Sequence, residues 1–316
     1  MPAGARLAIF CAIAASLAFT INDITIKFLS GDYALHQIVL IRASVAILIT
    51  LAVFVPLDGG FTALKTRRPL MHLARGVCVV FANMAFFMSL AAMKIGEATA
   101  ILFIAPLVIT ALAVVFLGER VGPRRWIAIA VGLAGVLVIV RPGTGAFQPA
   151  ALLPLVAAIA YATLHILTRK LGLAEKAAAM AFYIQLTFIV ICGVIGLTLG
   201  DGRYGNSGDP SVDFLMRAWV WPPLGDMAII VVAGIASAAG GYLISQAYRS
   251  AEASVIAPFE YVALPLSIFW GLTIFGEWPD GIAWLGIALI VASGLYAYSR
   301  EKKSDFVEPK PVQRVP

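Results

Sequence analysis

The chain has 316 residues, of which 61% are hydrophobic and 13% charged, with a mean hydropathy of +0.94. A soluble domain is about a quarter charged, so this composition excludes a water-soluble globular protein and makes lipid the main solvent. The net charge of +6 does not call for a nucleic-acid partner, because the cations follow a membrane topology.

A spanning helix needs about 20 apolar residues. The sequence offers ten such runs: 5–29, 33–56, 70–92, 97–117, 125–141, 150–170, 177–200, 224–248, 254–275 and 281–299. The first follows a single Arg and carries Asn22, Asp23 and Lys27, so it reads as a retained membrane helix rather than a cleaved signal peptide. Pro106 interrupts the fourth run, and Pro258 and Pro265 interrupt the ninth. Between the seventh and eighth, Asp201 to Pro223 is polar and Gly-rich before Trp219 and Trp221, an outer loop with an interfacial segment. The tail 300–316 is basic and holds Pro309, Pro311 and Pro316; it is expected to be disordered and close to anionic lipid. Cys11, Cys78 and Cys192 lie inside apolar runs and read as small buried hydrophobes rather than a disulfide or metal ligands.

Topology follows from the basic residues. Arg6; Lys65, Arg67 and Arg68; Arg120, Arg124 and Arg125; Arg169, Lys170 and Lys176; Arg249; and the tail all share one side, against Lys27, Lys94, Arg141, Arg203 and Arg217 on the other. The positive-inside rule puts both termini in the cytoplasm, which requires an even number of spans. Trp126, Trp278 and Trp284 fall at the interfaces, where aromatic belts form.

An internal repeat organises these spans. Ala92 to Glu119 resembles Ala247 to Glu277: Glu97-Ala98-Thr99 matches Glu252-Ala253-Ser254, and Gly118-Glu119 matches Gly276-Glu277. Ala18-Phe19 matches Ala160-Tyr161, Lys27 matches Arg169, and Trp126 matches Trp284. Each half has five spans, an odd number, so the second enters the membrane inverted. The expected fold is an all-α integral membrane protein of ten helices in two inverted five-helix repeats, 5–141 and 150–299. Such repeats place a binding site near the midplane between the halves.

Charged residues inside spans are costly and mark functional candidates. At 1.5 Å per residue, Asp23 lies about 9 Å and Arg42 about 13 Å from the outer face on consecutive antiparallel helices; these two are expected to pair. Arg75 and Glu260 lie about 8 and 9 Å from the inner face and could pair as well, with His165 at a comparable depth. Each pair serves either as a structural lock on helix register or in direct handling of a substrate or proton. Glu260 lies between two prolines that free backbone carbonyls, which favours function. Glu97 and Glu252 are expected to cap their helices. Asn83, Gln185, Tyr242, Gln246 and Tyr261 could bind a ligand or tie helices together. The small-residue spacings Ala130/Ala134 and Ala288/Ala292 predict close packing of the fifth and tenth spans, or a homodimer contact.

No Gly-rich loop ends in Gly-Lys-Ser/Thr, and no metallohydrolase spacing or nucleophile elbow occurs. No cofactor or metal is therefore expected. Energy must come from a proton gradient, a counter-substrate or the solute's own gradient. A multipass membrane enzyme would need a His, Asp or Glu cluster at one membrane face, which the loops do not supply.

These marks resemble the EamA branch of the drug/metabolite transporter superfamily over roughly residues 5 to 300. The resemblance rests on Asn22-Asp23 with Lys27, Arg42, Arg68-Pro69 with His72 and Arg75-Gly76, and Ala257-Pro258-Phe259-Glu260-Tyr261. It extends to the bacterial subgroup of S-adenosylmethionine and RibN-type riboflavin transporters. The resemblance implies a bacterial inner-membrane carrier of small metabolites with a cavity lined by spans 1, 3, 4, 6, 8 and 9. That places Asp23, Arg75, Asn83, His165, Tyr242 and Glu260 on lining helices. In the adenosylmethionine carriers a basic residue stands where this chain has Glu260, so the implied solute is a riboflavin-like or nucleoside-like heterocycle. Amino-acid or drug export is the alternative within transport.

Overall fold

The computed structural model describes residues 3–66, 68–117, 122–145, 147–171, 176–250 and 259–304. Among these residues the regular elements are helices, and there is no strand. Helix α1 (Ala3–Leu29) turns back into α2 (Leu35–Ile49), which continues through a π turn, Thr50–Phe54, to Val55–Leu57. Pro56 has no N–H to return to the preceding turn, and the widened turn absorbs that loss. Pro69 opens α3 (Pro69–Leu90), a position where the missing N–H costs nothing.

The fourth apolar run is two helices, α4 (Ile95–Leu102) and α5 (Ala105–Leu117), joined by a turn at Phe103–Ile104. Pro106 is the cause, since its ring would collide with the Leu102 carbonyl and cannot donate to it. There follow α6 (Pro123–Val140), α7 (Leu152–Leu171) and α8 (Ala177–Leu199). The outer loop contains a short helix, α9 (Pro210–Met216), whose N-cap Asp209 accepts from the N–H groups of Ser211 and Val212 at 2.8 and 3.1 Å. Helix α10 (Leu224–Ser250) precedes α11 (Ala263–Phe275) and α12 (Gly281–Ser304). Gly276, at φ 65°, ends α11 in the left-handed conformation that glycine adopts without strain.

In the ninth run Phe259–Glu260 is helical and Tyr261–Val262 forms a turn before α11, while positions 251–258, with Glu252 and Pro258, lie outside the described residues. Helix α12 runs past 299 to Ser304, so the first five residues of the expected tail are helical, and 305–316 lie outside the described residues.

Among the described residues six helical stretches are long and apolar enough to cross a bilayer: Arg6–Leu29, Leu35–Leu57, Pro69–Leu90, Ile95–Phe116, Ala177–Leu199 and Leu224–Ala247. Four shorter apolar helices accompany them, Trp126–Val140, Pro149–Leu164, Ala263–Phe275 and Gly281–Tyr296. Phe10, Leu48 and Leu197 stand 68%, 66% and 90% exposed, a surface that lipid would cover.

Helix α1 packs along α10, and α7 along α3; α2 touches α8 and α10, and α8 touches α2 and α3. Helix α6 lies on α12, α4 on α11, α5 on α7, and α1 on α11. Close approach is achieved at glycines. A Cβ on Gly240 would lie 2.8 Å from the Phe19 ring, and one on Gly76 would lie 2.2 Å from Thr187 Oγ1.

The α6–α12 contact is the close packing expected of the fifth and tenth spans, but different residues make it. A Cβ on Gly135 would meet the Gly286 carbonyl at 2.9 Å, and one on Gly286 the Gly135 carbonyl at 2.7 Å. Ala130, Ala134, Ala288 and Ala292 are exposed on the outward faces. The alanine spacing and the glycine contact lie on different sides of the same helices.

The loops dock across the bundle at both ends. At one end Gln37 Nε2 donates to the Val220 carbonyl at 2.6 Å, Arg217 to the Ser30 carbonyl at 2.9 Å, and Tyr33 to Asp226 at 2.5 Å. At the other end Lys176 donates to the Asp58 carbonyl at 2.6 Å, and Asp58 Oδ2 accepts from the Ala178 N–H at 2.9 Å. Asp58 thus caps the first turn of α8 from a distant segment. Asp58→Ala is expected to cost about 1 kcal/mol, the usual value of a lost cap, with Asp58→Asn milder; thermal unfolding of the purified protein measures both.

Candidate functional site at the crossing of the broken helices

The two helix breaks meet. Phe103 and Tyr261, each at its own break, stack with ring centroids 4.9 Å apart and planes 26° apart. The spacing between them equals that between Gly118 and Gly276. About two turns from the stack, toward Glu277, α4 and α11 approach closely: a Cβ on Gly96 would lie 2.8 Å from Ile268 Cγ1. At the break and along α4 and α11, Tyr261 Oη, Thr99 Oγ1, Ser267 Oγ and Trp270 Nε1 are buried with no hydrogen-bond partner among the described residues. Orphaned polar atoms cost about 1–3 kcal/mol each; such groups in a native fold call for a water, an ion or a ligand. Glu260 is half-buried beside the stack, and its charge reaches Tyr161 of α7.

The Asp23–Arg42 ion pair expected from the sequence is not direct. Arg42 Nη1 donates to Asn22 Oδ1 at 2.7 Å, and Asn22 Nδ2 donates to Asp23 Oδ1 at 3.0 Å. Asn22 stands between the charges because successive helix positions splay about 100° apart, and residue 22 is the one that faces α2. Arg42 is 2% exposed, with its guanidinium 5.0 Å from the Phe188 ring centroid and 5.5 Å from that of Phe87. Its Nε and Nη2 have no partner among the described residues.

The uncharged candidates divide. Gln185 donates to Ser237 at 3.1 Å and ties α8 to α10. Asn83 donates to the Val79 carbonyl of its own helix at 3.0 Å. Tyr242 stacks on Phe54 at 4.2 Å and donates to Asp58 at 3.4 Å, with Gln246 within 3.5 Å of its hydroxyl. That pair belongs to the clasp at the Asp58 end. Arg75 is buried on α3, one turn from His72, whose ring lies 4.7 Å from Tyr183. Position 165 is in the helical backbone of α7, and the His165 side chain lies outside the described residues.

A charged cluster closes the opposite end. Lys27, 9% exposed, pairs with Glu277 at 2.8 Å and donates to the Met93 carbonyl at 2.7 Å. Glu277 also accepts from the Ile95 N–H at 3.2 Å. The carboxylate that caps α4 is therefore Glu277 and not Glu97, whose carboxylate lies 3.7 Å from Lys94 instead. Lys94 in turn donates to the Trp278 carbonyl at 2.8 Å, and Arg141 pairs with Asp280. Arg141 and the Ala283 N–H hold the Asp280 carboxyl below its usual range. A cavity of about 470 Å³ lies beside this cluster, lined by Lys27, Lys94, Glu97, Arg141, Glu277 and Asp280. A second, of about 690 Å³, opens at the Asp58 end beside Phe61, Lys65, Thr66 and Tyr183.

Residues 6–141 match the EamA-like transporter family. A riboflavin transporter of Rhizobium johnstonii is 31% identical over 246 residues, covering 78% of this chain and 76% of that one. The chain belongs to the EamA-like transporter family. An S-adenosylmethionine uptake transporter of Rickettsia prowazekii is 27% identical over 285 residues, 90% of each chain. A solved crystal structure superposes with a TM-score of 0.64 at 18% identity, covering 94% of this chain and 98% of that one, and shares the fold. The chain is accordingly a multi-pass membrane protein. In this EamA-like chain sequence reasoning missed Asn22 as a bridge, Asp58 as a cap, and Lys27–Glu277 as a pair. The available signal was the expected topology, which puts the end of the first apolar run and the end of the ninth, and so Lys27 and Glu277, on the same side.

Proposed function

We propose that this chain is a secondary transporter that moves a small organic metabolite across a bacterial inner membrane by alternating access. The reading takes the ten apolar segments as spans, grouped into inverted repeats 5–141 and 150–299, with both termini cytoplasmic. The carrying observation is the meeting of the two broken helices at Phe103 and Tyr261, the arrangement transporters use to place a binding site at the midplane. The neighbour relations support it. Exchanging the first five spans for the last five turns the α1–α10 contact into α7–α3 and α2–α10 into α8–α3, while α2–α8 and α6–α12 map onto themselves.

In this reading Glu260 and Tyr261 meet the solute at the break, with Arg75, Asn83 and His165 on neighbouring lining helices. Asp23, Asn22 and Arg42 form a second polar focus. Gln185, Tyr242 and Gln246 act mainly in holding helices. Flat aromatic faces beside isolated charges suit a heterocycle with a polar tail. The relatives' names fit, since riboflavin and S-adenosylmethionine both carry a flat ring system on a polar chain. Whether proton or counter-substrate gradients drive the movement is read from the same experiment.

That experiment is uptake and efflux of a radiolabelled panel of flavins, nucleosides, adenosylmethionine and amino acids in expressing cells, with and without a protonophore. Glu260→Gln is expected to lower the flux by at least about tenfold, the scale of about 1.4 kcal/mol in one essential contact, at unchanged abundance in the membrane. Wild-type flux in the Gln variant would remove Glu260 from the site. Tags on the two ends that report from opposite sides of the bilayer would sink the inverted-repeat reading.

A further inference from the structure

We propose that Lys27 and Glu277 form an ionic latch that holds the outer mouth of the passage shut in the conformation described here. This inference rests on the alternating-access reading above. The two residues belong to different halves: Lys27 ends α1, and Glu277 begins the segment between α11 and α12. Their 2.8 Å pair, the Lys27 bond to the Met93 carbonyl and the Glu277 bond to the Ile95 N–H join three segments at one point. Lys94 to the Trp278 carbonyl and Arg141 to Asp280 close the rim around it. Such a junction breaks as a unit when the halves separate, because each bond but the rim's includes one of the same two side chains.

What lies inward of the latch makes it a gate rather than a staple. Thr99 is 4% exposed on α4 and Ser267 is 0% exposed on α11, and neither hydroxyl has a partner among the described residues. A closed seam leaves these groups dry, and a water-filled seam satisfies them. Hydration therefore pulls the mouth open, and the latch opposes it. A partly buried ion pair suits that task, since its desolvation offsets most of its attraction and leaves it breakable. Phe275, whose ring centroid lies 5.2 Å from Lys27 Nζ, gives the cation a second resting contact.

The test is cysteine accessibility in intact cells. Cys11, Cys78 and Cys192 are replaced by alanine, and Thr99→Cys or Ser267→Cys is introduced singly as a reporter for a membrane-impermeant maleimide. With the latch intact the reporters are expected to label slowly. Glu277→Gln, which keeps the acceptor for Ile95 and removes the charge, is expected to speed labelling about tenfold, as a shift of about 1.4 kcal/mol in the closed–open equilibrium would. Lys27→Met is read in the same way and should agree. Unchanged labelling in both variants overturns the latch, and so does failure of both to accumulate, which would make the pair a folding contact. The radiolabelled panel separates this from the parent reading. Faster labelling in a protein that moves no solute keeps the latch and overturns transport, whereas unchanged labelling in a protein that does transport overturns the latch alone.

Discussion

Replacing Arg42 with methionine is expected to abolish transport while leaving the fold about as stable as the wild type. Arg42 is 2% exposed and makes one hydrogen bond, to Asn22, while Nε and Nη2 are buried without partners among the described residues. Each orphaned donor costs about 1–3 kcal/mol. Methionine has similar reach, fills the space between Phe87 and Phe188, and removes those penalties. Against this, Asn22 loses one donor, at about 1 kcal/mol. Asp23 keeps its bond from Asn22 and is only half-buried, so it is not left as an isolated buried charge. Removing one member of a buried ionic pair is costly when the other is left without a partner; here Asn22 remains as the partner of Asp23. In the proposed transporter the unpartnered Nε and Nη2 donors would meet an anionic or carbonyl group of the solute. Thermal unfolding in detergent and flux in vesicles decide the matter. A melting point lower by more than about 4 °C, the shift that about 1–2 kcal/mol gives in a chain of this size, would make Arg42 a structural residue.

Gly286→Leu should do the reverse and remove the protein from the membrane by unfolding it. Its Cβ would sit 2.7 Å from the Gly135 carbonyl and 2.5 Å from Ile139 Cγ1. The first is backbone and cannot step aside, so α6 and α12 must part. Overpacking costs about 1–3 kcal/mol, and parting the helices forfeits further contacts along the seam, since helix association in lipid depends on close van der Waals fit. Abundance of folded protein is expected to fall by at least about tenfold, as about 1.4 kcal/mol implies. Ala288→Leu is the control, two positions along on the lipid face of the same helix; surface changes of that kind stay within about 0.5 kcal/mol. Equal loss in both, by size-exclusion profile and membrane abundance, would place the contact surface elsewhere.

The two substitutions mark the limit of what could be read from the sequence. Which helix pairs with which was partly legible, since close packing of the fifth and tenth spans follows from their small residues. The face was not. Ala130 and Ala134 carry a small-residue spacing, yet Gly135 makes the contact. Likewise Asp23 and Arg42 lie at similar depth on adjacent helices, but Asn22 holds the arginine. Both errors are rotations of a helix about its own axis.

Hydrophobic run length, basic residues at alternate run ends and the prolines at 106 and 265 suffice to establish a multi-pass helical membrane chain with two interrupted helices. Length and backbone chemistry are local properties, and lipid leaves them few alternatives. Only the tertiary structure decided helix rotation, the stack of Phe103 on Tyr261 and the junction of Lys27 with Glu277. In water the apolar side of a helix identifies the core, but in a bilayer the outside is equally apolar. Sequence pattern then carries little information about which way a helix faces, and packing between helices has to supply it.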